Sequence, residues 1–220
     1  MIVDKERRVS LTLVIGNKNY SSWSLRAWLV MELSGATYDE LQIPLYTPDS
    51  RARLRQHSPT GKVPVLKTPE GVIWDSLAIA EYMAENYSQA GLWPSDAAAR
   101  AMARSLCAEM HSGFSALRNH LPMDLKRRQR LATIPAEAEN DIKRICFLWA
   151  ECRERFGAEG PFLFGRASIA DAFYAPVATR LRSYSVSLAS DADGYVNAIY
   201  AWPAFQRWYE EALKEKEVIS

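Results

Sequence analysis

Three serines, Ser21, Ser22 and Ser24, lie in the run Asn19-Tyr20-Ser21-Ser22-Trp23-Ser24-Leu25-Arg26, between an apolar strand-like segment (11–15) and an apolar helix-like one (25–33). A strand that turns into a helix leaves free backbone N–H groups at the turn, and the aligned peptide dipoles favour negative charge there. Hydroxyls at this place can cap the helix, and they can equally steady a bound anion. No cysteine precedes Cys107. Thiol chemistry at this turn therefore needs a thiol brought by a ligand, and hydroxyl and dipole would both favour its thiolate form.

Two further clusters follow. In Ser58-Pro59-Thr60-Gly61-Lys62-Val63-Pro64-Val65-Leu66, Pro64 stands where a strand begins and cannot donate to a sheet, so it belongs on an edge or in a bend. A cis Val63-Pro64 bond would turn the Val63 N–H and C=O outward, ready to pair with an extended peptide-like ligand. A trans bond would be a plain strand start, and the sequence leaves both open. Asp75-Ser76 then opens a helix directly after a strand. That helix N-terminus suits a ligand carboxylate and Asp75 a ligand amine, although the pair also serves as an ordinary cap. Taken in order, a thiol site, a peptide-backbone site and an amino-acid headgroup site describe glutathione.

The elements that must position these residues can be read from periodicity. Residues 11–16 read as a buried strand, and Leu25, Trp28, Leu29 and Leu33 share one helix face that stops at Gly35. Residues 37–43 read as a strand, 49–56 as a short charged helix, and 63–67 with 72–74 as a hairpin around Pro69-Glu70-Gly71. A helix bearing Leu77, Ile79, Met83 and Tyr87 closes a β-α-β-α-β-β-α unit over residues 1–87. The first two strands, joined by a helix, should run parallel with a right-handed crossover. Residues 88–98 read as a linker, and 99–220 as helical throughout. In that half Met102, Leu106, Met110, Phe114, Leu117 and Leu121 form one helical stripe, and Ile142, Ile145, Trp149, Cys152 and Phe156 another. Ser168-Ile169-Ala170-Asp171 has capping-box spacing with Asp in place of Glu, and a last amphipathic helix follows Pro203. The fold class is α/β followed by all-α.

Composition narrows the function. The chain has 220 residues, 48% hydrophobic and 24% charged, with a formal net charge of +1, so nothing draws it as a whole toward nucleic acid or a membrane. The charged start MIVDKERR shows no secretory leader, and no apolar run approaches the ~20 residues that span a bilayer. Three cysteines without a CxxC pair fit a reducing cytoplasm; Cys146 and Cys152, six apart on a helix, face different ways and suggest no metal site. The basic run Lys126-Arg127-Arg128-Gln129-Arg130 lacks interleaved aromatics and reads as a solvated loop.

These motifs resemble those of cytosolic glutathione S-transferases with a serine-type site, closest to the zeta-like group. Ser21-Ser22-Trp23-Ser24-Leu25-Arg26 is similar to the SSCSxR motif of that group, with Trp23 where it carries Cys. Residues 58–66 resemble its NPxGKVPVL segment, and Asp75-Ser76 its E/D-S pair. The resemblance implies a thioredoxin-like domain followed by a helical bundle, working as a homodimer with glutathione as substrate or cofactor and no metal. It implies Ser21 as the thiolate-stabilising hydroxyl, with Ser22 as the nearest competitor. It further implies glutathione contacts from Trp23, His57, Lys62, Val63, Pro64, Asp75 and Ser76. Met110, His111, Phe114 and Arg118 become candidates for an electrophile pocket between the domains, with Arg118 suited to an anionic co-substrate. The activity implied is transfer of glutathione to a small electrophile, as in detoxification. The alternatives are a maleylacetoacetate-type isomerase, which the loss of the cysteine at Trp23 weakens, and a non-catalytic interaction protein.

Overall fold

The computed structural model describes residues 11–218, so the charged start MIVDKERR lies outside it. The first half runs β1 (Leu11–Ile15), α1 (Ser22–Ser34), β2 (Tyr38–Gln42), α2 (Ser50–Arg55), β3 (Val65–Thr68), β4 (Gly71–Ile73) and α3 (Ser76–Asn86). The sheet order is β2-β1-β3-β4. β1 and β2 are parallel, as the helical crossover requires, and β3 and β4 add antiparallel strands. Strand alternation divides the apolar residues between two layers. Leu11, Leu13 and Ile15 enter the main core, while Val14 meets Ile43, Leu54 and Val65 beneath α2.

α1 departs from the single buried face expected of it. Ala27, Val30 and Met31 are buried along with Leu25, Trp28 and Leu29, because α1 lies between α3 and α7 as well as on the sheet. Gly35 ends the helix in the left-handed region, φ 69°.

The second half comprises α4 (Ala97–Ser112), α5 (Ser115–His120), α6 (Ala136–Phe156), α7 (Ile169–Ser183), α8 (Ser190–Ala201) and α9 (Pro203–Lys214). The stripe from Met102 to Leu121 is not one helix. The Gly113 N–H closes α4 on the Glu109 carbonyl at 2.8 Å, and Phe114 turns left-handed at φ 54° before α5 begins. A Cβ at position 113 would sit 2.8 Å from that same carbonyl oxygen, so glycine is required. α8 was not anticipated from the sequence.

The capping box forms as its spacing predicts. Buried Asp171 accepts from the Ser168 N–H (2.9 Å), the Ser168 hydroxyl (2.9 Å), the Leu163 N–H (3.1 Å) and the Tyr195 hydroxyl (3.0 Å). Burial nevertheless pushes its carboxyl up to about 6.

The basic run is a loop as read, exposed at Arg128, Gln129 and Arg130, with several of its side chains tied down. Lys126 donates to the Glu215 carbonyl, Arg127 pairs with Asp124 at 3.4 Å, and Arg128 reaches the Leu125 carbonyl (2.9 Å) and the Tyr209 hydroxyl. Cys146 is half-buried and Cys152 fully buried, consistent with different directions on α6.

Candidate functional site

The β1–α1 turn places the three serines in different roles. Ser21 is the N-cap of α1; its hydroxyl accepts from the Ser24 N–H at 3.4 Å and donates to Ser24 Oγ at 2.7 Å. Ser24 Oγ in turn accepts from the Gly16 N–H at 3.0 Å, tying the helix start to the end of β1. Ser22, the first helical residue, has a hydroxyl bonded to no other described residue. The first turn of α1 carries no acidic side chain, so its positive end stays uncompensated.

Ser21, Ser22 and Trp23 line a cavity of about 580 Å³. Its other walls come from Lys62 and Val63 before β3, Tyr46 and Arg51 around the start of α2, and Arg118, Met123 and Arg180 of the helical half. A second cavity of about 460 Å³ shares Trp23, Lys62 and Val63 and adds Pro64, Trp74, Asp75 and Ser76. The Val63-Pro64 bond is cis. The Ser76 hydroxyl in this wall is buried without a partner, an opening for a ligand oxygen. Asp75 caps α3 through the Leu77 N–H (2.8 Å) and also meets His111 Nε2 at 3.2 Å.

His111, read as a pocket residue, lines neither cavity itself but touches a lining residue on two sides: Asp75, and Trp23, to which it stands edge-on with 5.1 Å between ring centroids. Burial, together with Arg26 and Arg118, pulls its imidazole below the usual histidine range against the opposing pull of Asp75. Met110 and Phe114 belong to the core and line neither cavity. His57 also lies outside both, at the end of α2, with Nδ1 2.6 Å from Lys67 Nζ.

Neither Arg26 nor Arg180 is among the site residues the sequence points to. The Trp23 ring lies between two guanidinium groups, Arg26 at 4.4 Å and Arg118 at 5.0 Å. Arg26 is 1% exposed and Arg180 5%. Arg26 Nε and Nη1, Arg118 Nε and Arg180 Nε are all buried without a hydrogen-bond partner, and no carboxylate among the described residues pairs with any of the three. Arg118 donates to the carbonyls of Met110 and His111, and Arg180 to that of Leu121 at 2.6 Å. Desolvation, with mutual repulsion behind it, lowers Arg26 to about 9 and Arg180 to about 10. One signal for Arg180 was present: a basic residue, with Arg182 two positions on, at the end of the apolar stretch that becomes α7. Among the described residues no group of His, Cys, Asp and Glu could hold a metal.

A parallel-plus-antiparallel sheet with a serine-capped helix facing a cleft, backed by a helical bundle, is the architecture of glutathione-handling thioredoxin-like proteins. The comparisons agree: residues 20–86 match the glutathione S-transferase N-terminal domain and residues 96–211 the C-terminal domain, so the chain belongs to the glutathione S-transferase family. It is 26% identical over 196 residues to the maleylacetoacetate isomerase of Pseudomonas aeruginosa, covering 85% of this chain and 84% of that one. A probable maleylacetoacetate isomerase of Caenorhabditis elegans is 32% identical over 99 residues, 45% of this chain and about half (46%) of the relative. Among solved structures, a zeta-class bacterial maleyl pyruvate isomerase superposes with TM-score 0.72, 22% identity and coverage of 94% and 100%. A Burkholderia glutathione transferase homolog with bound glutathione gives 0.71, 23% identity, and 94% and 99% coverage. Among the described residues no helix is long and apolar enough to cross a membrane.

Proposed function

We propose that the chain is a glutathione transferase, with the tripeptide along the edge formed by Ser21-Ser22, Val63-Pro64 and Asp75-Ser76. The observation that carries this is the helix N-terminus of α1, uncompensated and opening with Ser22 onto a cavity shared by both halves. Ser22 supplies the hydroxyl hydrogen bond to the glutathione sulfur, since its proton is uncommitted; Ser21, whose proton goes to Ser24, shapes the turn. Lys62 and Val63 meet the backbone of the tripeptide, and Asp75 with Ser76 its γ-glutamyl end. The thiol loses its proton to solvent, and the sulfur attacks an electrophilic carbon beside Trp23 and Arg118. A halide or similar group then leaves with the bonding electrons, or a proton completes addition to a double bond. Three free cysteines support a cytoplasmic setting, and the exposed Val72 and Trp74 on the edge strand β4 and beside it support a homodimer.

The test is thiolate absorbance on adding glutathione, with turnover measured across a panel of halogenated aromatics, peroxides, isothiocyanates and maleylacetone. Ser22→Ala should lower kcat/KM by about 10²-fold, the usual cost of removing one donor to a developing anion. Ser21→Ala should cost about 1 kcal/mol of stability as a lost cap, with a smaller rate loss. If neither substitution slows turnover, the serine mechanism is wrong. No retention on immobilised glutathione would leave only the interaction-protein reading.

The unpaired arginines favour a second reading, glutathione-dependent cis–trans isomerisation of an anionic substrate. The sulfur adds to a carbon–carbon double bond, rotation follows, and elimination returns glutathione unchanged. Burying Arg26 and Arg180 without counter-charges is costly, and a bound carboxylate would relieve it. Maleylacetone turnover that fails to consume glutathione decides for it.

A further inference from the structure

The loop that carries the serine turn is held from the far end of the chain. The backbone N–H groups of Lys18 and Asn19 both donate to the Glu215 carboxylate, at 2.5 and 2.9 Å, and Gln42 Nε2 donates to the same group. Glu215 stands one residue beyond α9. One turn earlier on α9, Glu211 pairs with Lys18 Nζ, which lies against the Trp28 and Trp208 rings at 5.5 and 5.2 Å. Trp208 Nε1 donates to the Lys18 carbonyl at 3.0 Å. Lys18 is 4% exposed and Asn19 0%. Two residues of loop separate Asn19 from Ser22, and the Ser21 N–H is itself fixed on the Asn17 carbonyl at 2.8 Å.

We infer that Glu215 is a positioning residue for the thiolate site: its carboxylate fixes the two loop amides and thereby sets where the Ser22 hydroxyl points. Buried backbone donators must be paired, and at 18 and 19 the partner is a side chain nearly two hundred residues away. A freed loop would let the hydroxyl drift, and a misplacement of about 1 Å can cost up to 10²-fold in rate. The inference rests on the glutathione reading for its kinetic arm only.

Three explanations of Glu215 make different predictions. As a positioning residue, Glu215→Ala raises the pKa of the bound glutathione thiol, read by thiolate absorbance against pH, and lowers kcat about tenfold with a smaller change in glutathione KM. Glu215→Asp, which keeps both oxygens, restores part of the loss, and Glu215→Gln, with one acceptor, restores less. As a mere negative charge near the site, its removal would lower the thiol pKa instead. As a mere tail anchor, it would leave the thiol pKa unmoved. Either of these last two results overturns the inference. Amide hydrogen exchange supplies an arm that needs no glutathione: in Glu215→Ala the amides of Lys18 and Asn19 should exchange at least about tenfold faster while those of α7 do not change. Unchanged exchange at 18 and 19 also overturns it. A wild-type chain without thiolate absorbance refutes the glutathione reading, and the exchange result still decides whether Glu215 holds the loop.

Discussion

Two helices in this chain begin with the same kind of residue and end in opposite states. α7 opens on Ser168 with Asp171 three residues on, and α1 opens on Ser21 with Ser24 three residues on. At α7 the cap is closed: the Asp171 carboxylate returns to Ser168, is fully buried, and accepts four hydrogen bonds. At α1 the third position holds a hydroxyl in place of a carboxylate, the dipole is left uncompensated, and Ser22 faces a cavity. A helix N-terminus thus becomes a site for an external anion only where the sequence withholds an internal one.

The comparison breaks most visibly at Asp171. Asp171→Ala leaves the Ser168 and Leu163 N–H groups and the Tyr195 hydroxyl unpaired in the core, and should cost at least about 3 kcal/mol in urea unfolding. An equally stable variant would mean that the two helix starts are not different in kind. A smaller effect concerns pH. Asp171 is an acid whose folded-state value, about 6, lies above its unfolded value, so the folded chain holds the proton more tightly between them. Its contribution is therefore full below the unfolded value and declines as pH rises through about 6, by on the order of 2 kcal/mol. The stability gap between wild type and Asp171→Asn should accordingly be widest near pH 4 and narrow toward pH 7; a gap that widens instead contradicts the shift. The smallest effect sharpens the contrast from the other side. Ser22→Asp puts a carboxylate in the first turn of α1, as in α7, and should raise stability by about 0.5 kcal/mol while abolishing the glutathione thiolate signal. Retained thiolate absorbance in that variant would show that the α1 N-terminus is not where the sulfur sits.

Local order was legible in the sequence because it depends on neighbours. The buried apolar strand at 11–15, the Gly35 stop, the turn at Pro69-Glu70-Gly71 and the Ser168–Asp171 box each involve residues a few positions apart, and each formed as read. The break at Gly113 was missed because the apolar spacing runs through it unchanged; it shows only in the left-handed Phe114 and in the Glu109 carbonyl packed where a Cβ at 113 would sit. Met110 and Phe114 were read as pocket residues for the same reason, since a stripe does not say which of its members meets the cleft and which the core.

The sequence by itself determined a thioredoxin-like unit followed by helices, and the three clusters around Ser21-Ser22, Val63-Pro64 and Asp75-Ser76. Only the tertiary structure showed that the Ser21 hydroxyl is spent on Ser24, whose own hydroxyl is held by the Gly16 N–H at the end of β1. It alone brought together three arginines without carboxylate partners from α1, α5 and α7, two of them against the Trp23 ring, and brought Glu215 to the amides of Lys18 and Asn19. The physical reason is range: periodicity and capping act within a turn or two, whereas desolvated charge and long-range hydrogen bonds exist only once distant segments have packed.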